Sequence, residues 1–340
     1  MSKYITTANN AKEILDKYGV AIIPNILDEG ECQNIISGIW DFLETISQKW
    51  KKPISRCNPS TWSEFYNLFP MHSMLLQHFE VGHMQASWNV RQNEKVVNVF
   101  AKLWNCSAEE LLVSFDGCSF HMPPEITKRG WNRNHTWFHV DQSFRNTKFS
   151  CIQGWVTGLN IEEGDGTLAV FEGSHNLHEA MSKTIENPPS EDWYKLNEEQ
   201  ENFYLSRGCT KIKITCPKGS LVLWDSRTVH CGVEPDRNRL HKKLRAVIYV
   251  CYMPRVLCNA KDLKKKQKAF YEKRTTRHNP YKIGLFGKEP RTYGRKIPEM
   301  TPIQSPVLTP LGMKLAGILT PVPIKFIPKN KNNYLDTKKI

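Results

Sequence analysis

The 340 residues contain no apolar run near the ~18 needed to cross a bilayer as a helix. The opening stretch MSKYITTANNAKEILDKYG is polar and has no apolar h-region, so a signal peptide is not expected. None of the ten cysteines is spaced C-x-x-C, which argues against a zinc ribbon. In a chain this long they read as reduced core and surface thiols, with no disulfide partner. The expectation is a reducing, intracellular compartment, cytoplasmic or nuclear. No internal repeat stands out beyond scattered Thr-Pro pairs. With 40% hydrophobic and 24% charged residues, a wholly disordered or fibrous chain is excluded.

Acidic residues are scarce in the last third. Residues 236–340 hold 25 Lys+Arg against 6 Asp+Glu, a net +19, whereas residues 1–235 are net −6. Such a basic segment favours polyanions: nucleic acid, an anionic membrane surface or a phosphorylated substrate. The plainer reading is a solvated lysine-rich surface.

Residues 10–18 fit a short helix, and Gly19–Leu27 is a β-branched run ending at a Pro-Asn turn. Asp28 stands three residues before Glu31, a capping-box pattern. Cys32, Ile35, Ile36, Ile39, Leu43, Ile46 and Trp50 then recur every three or four residues, which predicts an amphipathic helix. Prolines 53, 59 and 70 break residues 51–90 into loops and short helices, and Glu94–Trp104 returns to helical spacing. From about residue 111 the period shortens. LLVSFDGCSFHM, HTWFHVDQSF, SCIQGWVTGLNI, GTLAVFEGSH, TKIKITC, GSLVLWDS and LRAVIYVCYM read as strands of a jelly-roll type sandwich or barrel. Residues 173–210 form a long polar insertion between strands. A basic helical segment follows residue 256, then a Pro-rich tail carrying Pro298, Pro302, Pro306, Pro310, Pro321, Pro323 and Pro328.

His139 and Asp141 are two apart in an aromatic, β-branched run, so on a strand both side chains leave one face. His230, which follows the apolar run Leu221–Trp224, is the best third partner. Two histidines and one carboxylate make the facial triad of non-haem iron(II) oxygenases, which leaves positions open on the metal. Rival pairs fail. His135 and His139 are four apart, but Thr136 stands where a zinc protease needs Glu. His175 and His178 sit in the polar insertion with no third partner nearby.

In order along residues 10–256, LDKYGVAIIPNILDEGECQNI, FHVDQSF, GDGTLAVFEGSH, KGSLVLWDSRTVHCG and LRAVIYVCYM resemble the segments of one family. The chain resembles the phytanoyl-CoA dioxygenase-like branch of the iron(II)/2-oxoglutarate-dependent oxygenases. That resemblance implies a mainly β fold with flanking helices around a double-stranded β-helix, the jelly-roll or cupin-like core. It implies iron(II) on His139, Asp141 and His230, with 2-oxoglutarate and O2 as co-substrates and ascorbate as a reductant. Arg245, opening its strand, would pair its guanidinium fork with the distal carboxylate of 2-oxoglutarate. Arg239 is nearer the family's usual spacing but lies in the loop PDRNRLHKK. Trp155 matches an aromatic position beside the co-substrate, and a plain core tryptophan is the other reading. His121 could face the same pocket or be a core histidine. Gly232 stands where some relatives carry a serine that contacts 2-oxoglutarate. Relatives that halogenate replace the carboxylate, so Asp141 implies hydroxylation, or demethylation through hydroxylation.

The resemblance divides the chain into a dioxygenase domain at 1–256 and a C-terminal extension at 257–340. Within the first part, about 1–110 is helical and about 111–256 the jelly roll. The segment 274–294 and TPLGMKLAGIL read as an appendix docked on the barrel, framing the substrate mouth, or trailing from it. The expected partner is a small-molecule or acyl substrate, with polyanion contact through the basic third. Two other functions stay open: an oxygenase acting on nucleic acid or nucleobases, and a binding module that no longer turns over.

Overall fold

A computed structural model describes residues 1–319. Twelve strands lie among them: β1 (Val20–Ile23), β2 (Leu75–Leu76), β3 (Leu111–Val113), β4 (Cys118–His121), β5 (His139–Val140), β6 (Ile152–Thr157), β7 (Thr167–Glu172), β8 (Tyr194–Lys195), β9 (Thr210–Lys213), β10 (Leu221–Asp225), β11 (His230–Val233) and β12 (Arg245–Pro254). They build two antiparallel sheets. The larger runs β1-β10-β6-β12-β4-β2, with β3 also on β12; the smaller runs β8-β5-β11-β7-β9. The sheets face each other as a jelly-roll core of the double-stranded β-helix type, with helices on the outer face of the larger sheet and no closed barrel.

Alternation along the larger sheet sorts its side chains. On β12, Ala246, Ile248, Val250 and Tyr252 point out to the helices, whereas Val247 points in with Trp155 and Val222. The helix Glu29–Ile46 covers the outer face. Its start is a complete capping box, with Asp28 accepting from Glu31 N at 2.9 Å and Glu31 accepting from Asp28 N at 2.8 Å. Its buried side is wider than one stripe. Trp40 and Phe42 are buried and Ile36 is only half-buried, because the helix meets the sheet on one flank and the helix Gln85–Arg91 on another.

Three sequence expectations change in detail. HTWFHVDQSF yields only the two paired residues of β5, since Asp141 N turns away to donate to Ser226 O at 3.1 Å. LLVSFDGCSFHM is two strands on one partner. Arg245 to Ile248 pair with His121 to Cys118, and Tyr252 to Pro254 pair with Val113 to Leu111, so the register slips by one residue around Asp116. That is a β-bulge, a common device for re-aiming a side chain beside a site. The polar insertion carries the helices His178–Ser182 and Glu198–Leu205 and supplies β8 to the smaller sheet.

The basic C-terminal segment is held by its own cations, partly to the larger sheet and partly within itself. In the helix Ala260–Tyr271, Lys266 is fully buried, donates to Val113 O and stands 3.9 Å from the centre of the Phe115 ring. Lys265 donates to Ile283 O at 2.6 Å, Lys273 to Ile303 O at 2.5 Å and Arg274 to Phe286 O at 2.8 Å. The helix Pro310–Ala316 packs on β3. Pro321, Pro323 and Pro328 lie outside the described residues.

Two outcomes follow from these contacts. Asp28→Ala removes the N-cap acceptor, and chemical denaturation should show a loss of about 1 kcal/mol. Burial pushes His83 and His121 down to about 3 and His178 to about 4, against 6.5 ordinarily. The unfolded chain therefore binds more protons than the folded one between these values. Stability from these neutral rings is present above about 6.5 and is lost as pH falls towards 4. Thermal melts of the metal-free protein should show the midpoint dropping over that window.

Candidate active site

The inner face of the smaller sheet, with the turn that follows β5, brings His139, Asp141 and His230 together. One ligating atom from each lies within 4.8 Å of the others. His139 on β5 and His230 on β11 are direct cross-strand partners, and their rings are 4.3 Å apart. Asp141 Oδ1 is 3.7 Å from His139 Nε2, and Oδ2 is 3.3 Å from His230 Nε2.

Both rings are oriented from behind. His139 Nδ1 meets Trp137 O at 3.1 Å and His230 Nδ1 meets Thr228 O at 2.9 Å. A carbonyl only accepts, so each Nδ1 carries the proton and each Nε2 presents a lone pair to the centre. Trp137 stacks on His139 at 4.7 Å and 9°, and His72 stacks on Trp137 at 3.8 Å and 2°. Trp137 Nε1 donates to Gly232 O at 2.9 Å, so the glycine two residues past His230 holds the stack in place. Burial pushes His139 down to about 3, which keeps it in the neutral form a metal needs. Burial alone would raise the Asp141 carboxyl. The His139, His278 and His230 rings outweigh it and hold that carboxyl well below the ordinary range. Two neutral imidazoles and one fixed anion fit a divalent transition metal with positions left open.

Deeper between the sheets, Arg245 is buried. Its Nε donates to Ser119 Oγ at 3.0 Å and its Nη1 to Gly166 O at 2.7 Å, with the Tyr249 side chain beside the guanidinium. Trp155 lies 5.5 Å from this guanidinium, on the inward face of β6 two residues from Gln153. Gln153 Nε2 in turn donates to Asp141 Oδ2 at 3.0 Å. Asp141, Gln153, Trp155 and Arg245 thus form one path from the triad into the core. The Trp155 Nε1–H is buried with no hydrogen-bond partner among the described residues, a donor awaiting an acceptor. The path ends in one guanidinium, which fits a dicarboxylate co-substrate.

Arg239 is placed elsewhere. Its fork is closed on Glu125, at 2.7 Å from both Nε and Nη2, with Asp165 at 3.5 Å. His121 is the cross-strand partner of Arg245, and it lines a cavity of about 10 Å³ shared with Arg239 and Asp165. His175 and His178 are buried within the polar insertion, with Nε2 contacts to Asp16 O at 2.9 Å and Ser143 O at 3.4 Å.

Sequence reasoning missed Gln153, Tyr249 and His278. Alternation could have found the first two, since Gln153 shares a face with Trp155 and Tyr249 with Arg245. His278 Nδ1 stands 4.0 Å from Asp141 Oδ2 and carries no local signal. Beside the His72–Trp137 stack, His72, Arg129, Arg133, His135 and Glu234 line a cavity of about 320 Å³.

Comparison with known proteins agrees with this geometry. Residues 15–234 match the family model described as phytanoyl-CoA dioxygenase (PhyH). Ava biosynthesis cluster protein O of Aspergillus versicolor is 29% identical over 215 residues, covering 60% of this chain and 66% of that protein. This chain therefore spans slightly less than two thirds of that relative's length. Among solved structures, hypothetical protein JW0805 of Escherichia coli at high pH has a TM-score of 0.55 at 15% identity, over 93% of this chain and 85% of that one. GIG2 (DUF1479) of Candida albicans has a TM-score of 0.50 at 15% identity, over 77% of this chain and 67% of that one. These likenesses share the fold. Members of the matched family use iron(II), 2-oxoglutarate and O2, the set the donor atoms here accommodate. On the extent of the family match, the chain belongs to the phytanoyl-CoA dioxygenase (PhyH) family.

Proposed function

We propose that the protein is an iron(II)- and 2-oxoglutarate-dependent dioxygenase that hydroxylates a C–H bond of a small-molecule or acyl substrate. The observation that carries this reading is the convergence of two backbone-oriented imidazoles and one half-buried carboxylate at a single point. In this reading His139, Asp141 and His230 hold the metal, and Arg245 holds the distal carboxylate of 2-oxoglutarate. When bound, iron(II) with 2-oxoglutarate and O2 supplies the oxidising chemistry, with succinate and CO2 released and ascorbate as reductant.

The protein's own part is placement and exclusion of water. Arg245 anchors the co-substrate at one end, and the Tyr249 hydroxyl is there to assist. Burial pushes that hydroxyl up to about 12, so it stays a neutral donor. Trp155 supplies an apolar wall and one N–H along the path, and Gln153 fixes the free edge of Asp141. His121 backs the Arg245 strand from the small cavity behind it. Arg129 and Arg133 put two guanidinium groups on the rim of the adjoining cavity, beside Glu234, which suits an anionic group on the substrate.

Succinate formation from 2-oxoglutarate, measured with iron(II) and ascorbate, tests the assignment. Asp141→Ala should abolish it; turnover at the wild-type rate would remove Asp141 from the metal. Arg245→Lys keeps the charge but loses the fork, and the KM for 2-oxoglutarate should rise roughly ten-fold or more. An unchanged KM would move the carboxylate site elsewhere.

A further inference from the structure

His278 reaches the site from a hairpin that lies beyond the family-matched residues. The hairpin is clamped where it leaves the helix Ala260–Tyr271. Thr276 N donates to Phe115 O at 2.9 Å, and Phe115 N donates to Thr276 Oγ1 at 3.0 Å. Gly82 N donates to Thr275 Oγ1 at 3.2 Å, and Phe286 N donates to Thr275 O at 3.1 Å. Arg277 N closes the hairpin on Gly284 O at 2.7 Å.

Immediately after His278 the chain turns on Asn279, whose Oδ1 accepts from Tyr281 N at 3.0 Å and Lys282 N at 2.8 Å. Tyr281 then packs against Cys151, Cys251 and Met253 of the core. Asn279 and Tyr281 thus pin the turn, and the His278 imidazole comes close to Asp141. It is largely buried, at 14% side-chain exposure. Its Nδ1 is 4.0 Å from the same Oδ2 that accepts from Gln153, a gap one water can bridge.

We propose that His278 is a positioning residue of the metal centre: through one bridging water its imidazole holds the same Asp141 Oδ2 that accepts from Gln153. The hairpin 275–286 thereby sets how tightly this chain keeps its metal. This rests on reading His139, Asp141 and His230 as the metal ligands. A carboxylate gripped by one donor can swing about its Cβ–Cγ bond. Gripped from a second direction, it presents one fixed oxygen to the metal, and metal ligands generally depend on such outer partners.

The test uses the full chain and cobalt(II) alone, titrated without oxygen and followed by its visible absorption. His278→Leu fills the space without a donor and should weaken cobalt(II) about ten-fold or more while shifting the band. His278→Asn places an amide nitrogen where Nδ1 stood and should restore most of the affinity and the band. Asn279→Ala keeps the imidazole but loosens the turn that aims it, so weaker binding is expected there too. It also decides the matter should the leucine protein fail to fold. Wild-type affinity and spectrum in the folded variants would overturn the role of His278 and leave the metal site standing. A wild-type chain that binds no cobalt(II) would overturn the metal site itself, and His278's role with it.

Discussion

His139 and His230 are ninety-one residues apart, yet they sit directly opposite each other where β5 meets β11. The rest of the site depends on that register. A slip of one residue on either strand would turn an imidazole to the other face of the sheet. The register is pinned on both sides. β11 pairs over four residues with β7, and the turn after β5 is tied to the loop before β11 through Asp141 N and Ser226 O. Backbone pairing thus fixes which face each side chain occupies, and the Trp137 and Thr228 carbonyls fix how each ring is rotated. The triad is a property of the sheet before it is a property of three residues.

The same economy governs the buried cations. Arg91, Arg245 and Lys266 are all removed from water, where an unsatisfied charge would be costly. Arg91 and Lys266 are met by backbone carbonyls of Gly82, Asp116 and Val113. Both are thereby structural, joining the outer helices to the strand that carries the bulge. Arg245 is met by the Ser119 hydroxyl as well as by the Gly166 carbonyl. Lys265, Lys266, Lys273 and Arg274 are committed to backbone carbonyls, while most of the other Lys and Arg in the described part of the last third stay exposed.

Much of this was legible in the sequence. The capping box at Asp28, the run of apolar strands and the spacing of His139 and Asp141 each reflect a local rule, and local rules survive folding. The same holds for Arg245, which opens its strand as expected and pairs with His121. What escaped was set by contacts distant in the chain. β8 is polar and half-exposed, so no apolar pattern marks it; it exists because β5 offers an edge. Ile36 yielded its place to Trp40 and Phe42 because a second helix approached from the side. His278 looks like one more residue in a basic tail, and only the docking of its hairpin on Phe115 gives it a destination.

β12 lies in the middle of the larger sheet, hydrogen-bonded to β6 on one side and to β3 and β4 on the other. It is also the last strand to be synthesised among those described. As the chain leaves the ribosome, β6 and β4 must wait with bare facing edges until residues 245–254 emerge to fill the slot between them. Open edges of this kind invite pairing with the wrong chain. Assembly is therefore a late event in which core, Arg245 and both halves of the sheet arrive at once, and nascent chains paused short of that strand are the ones most in need of a chaperone.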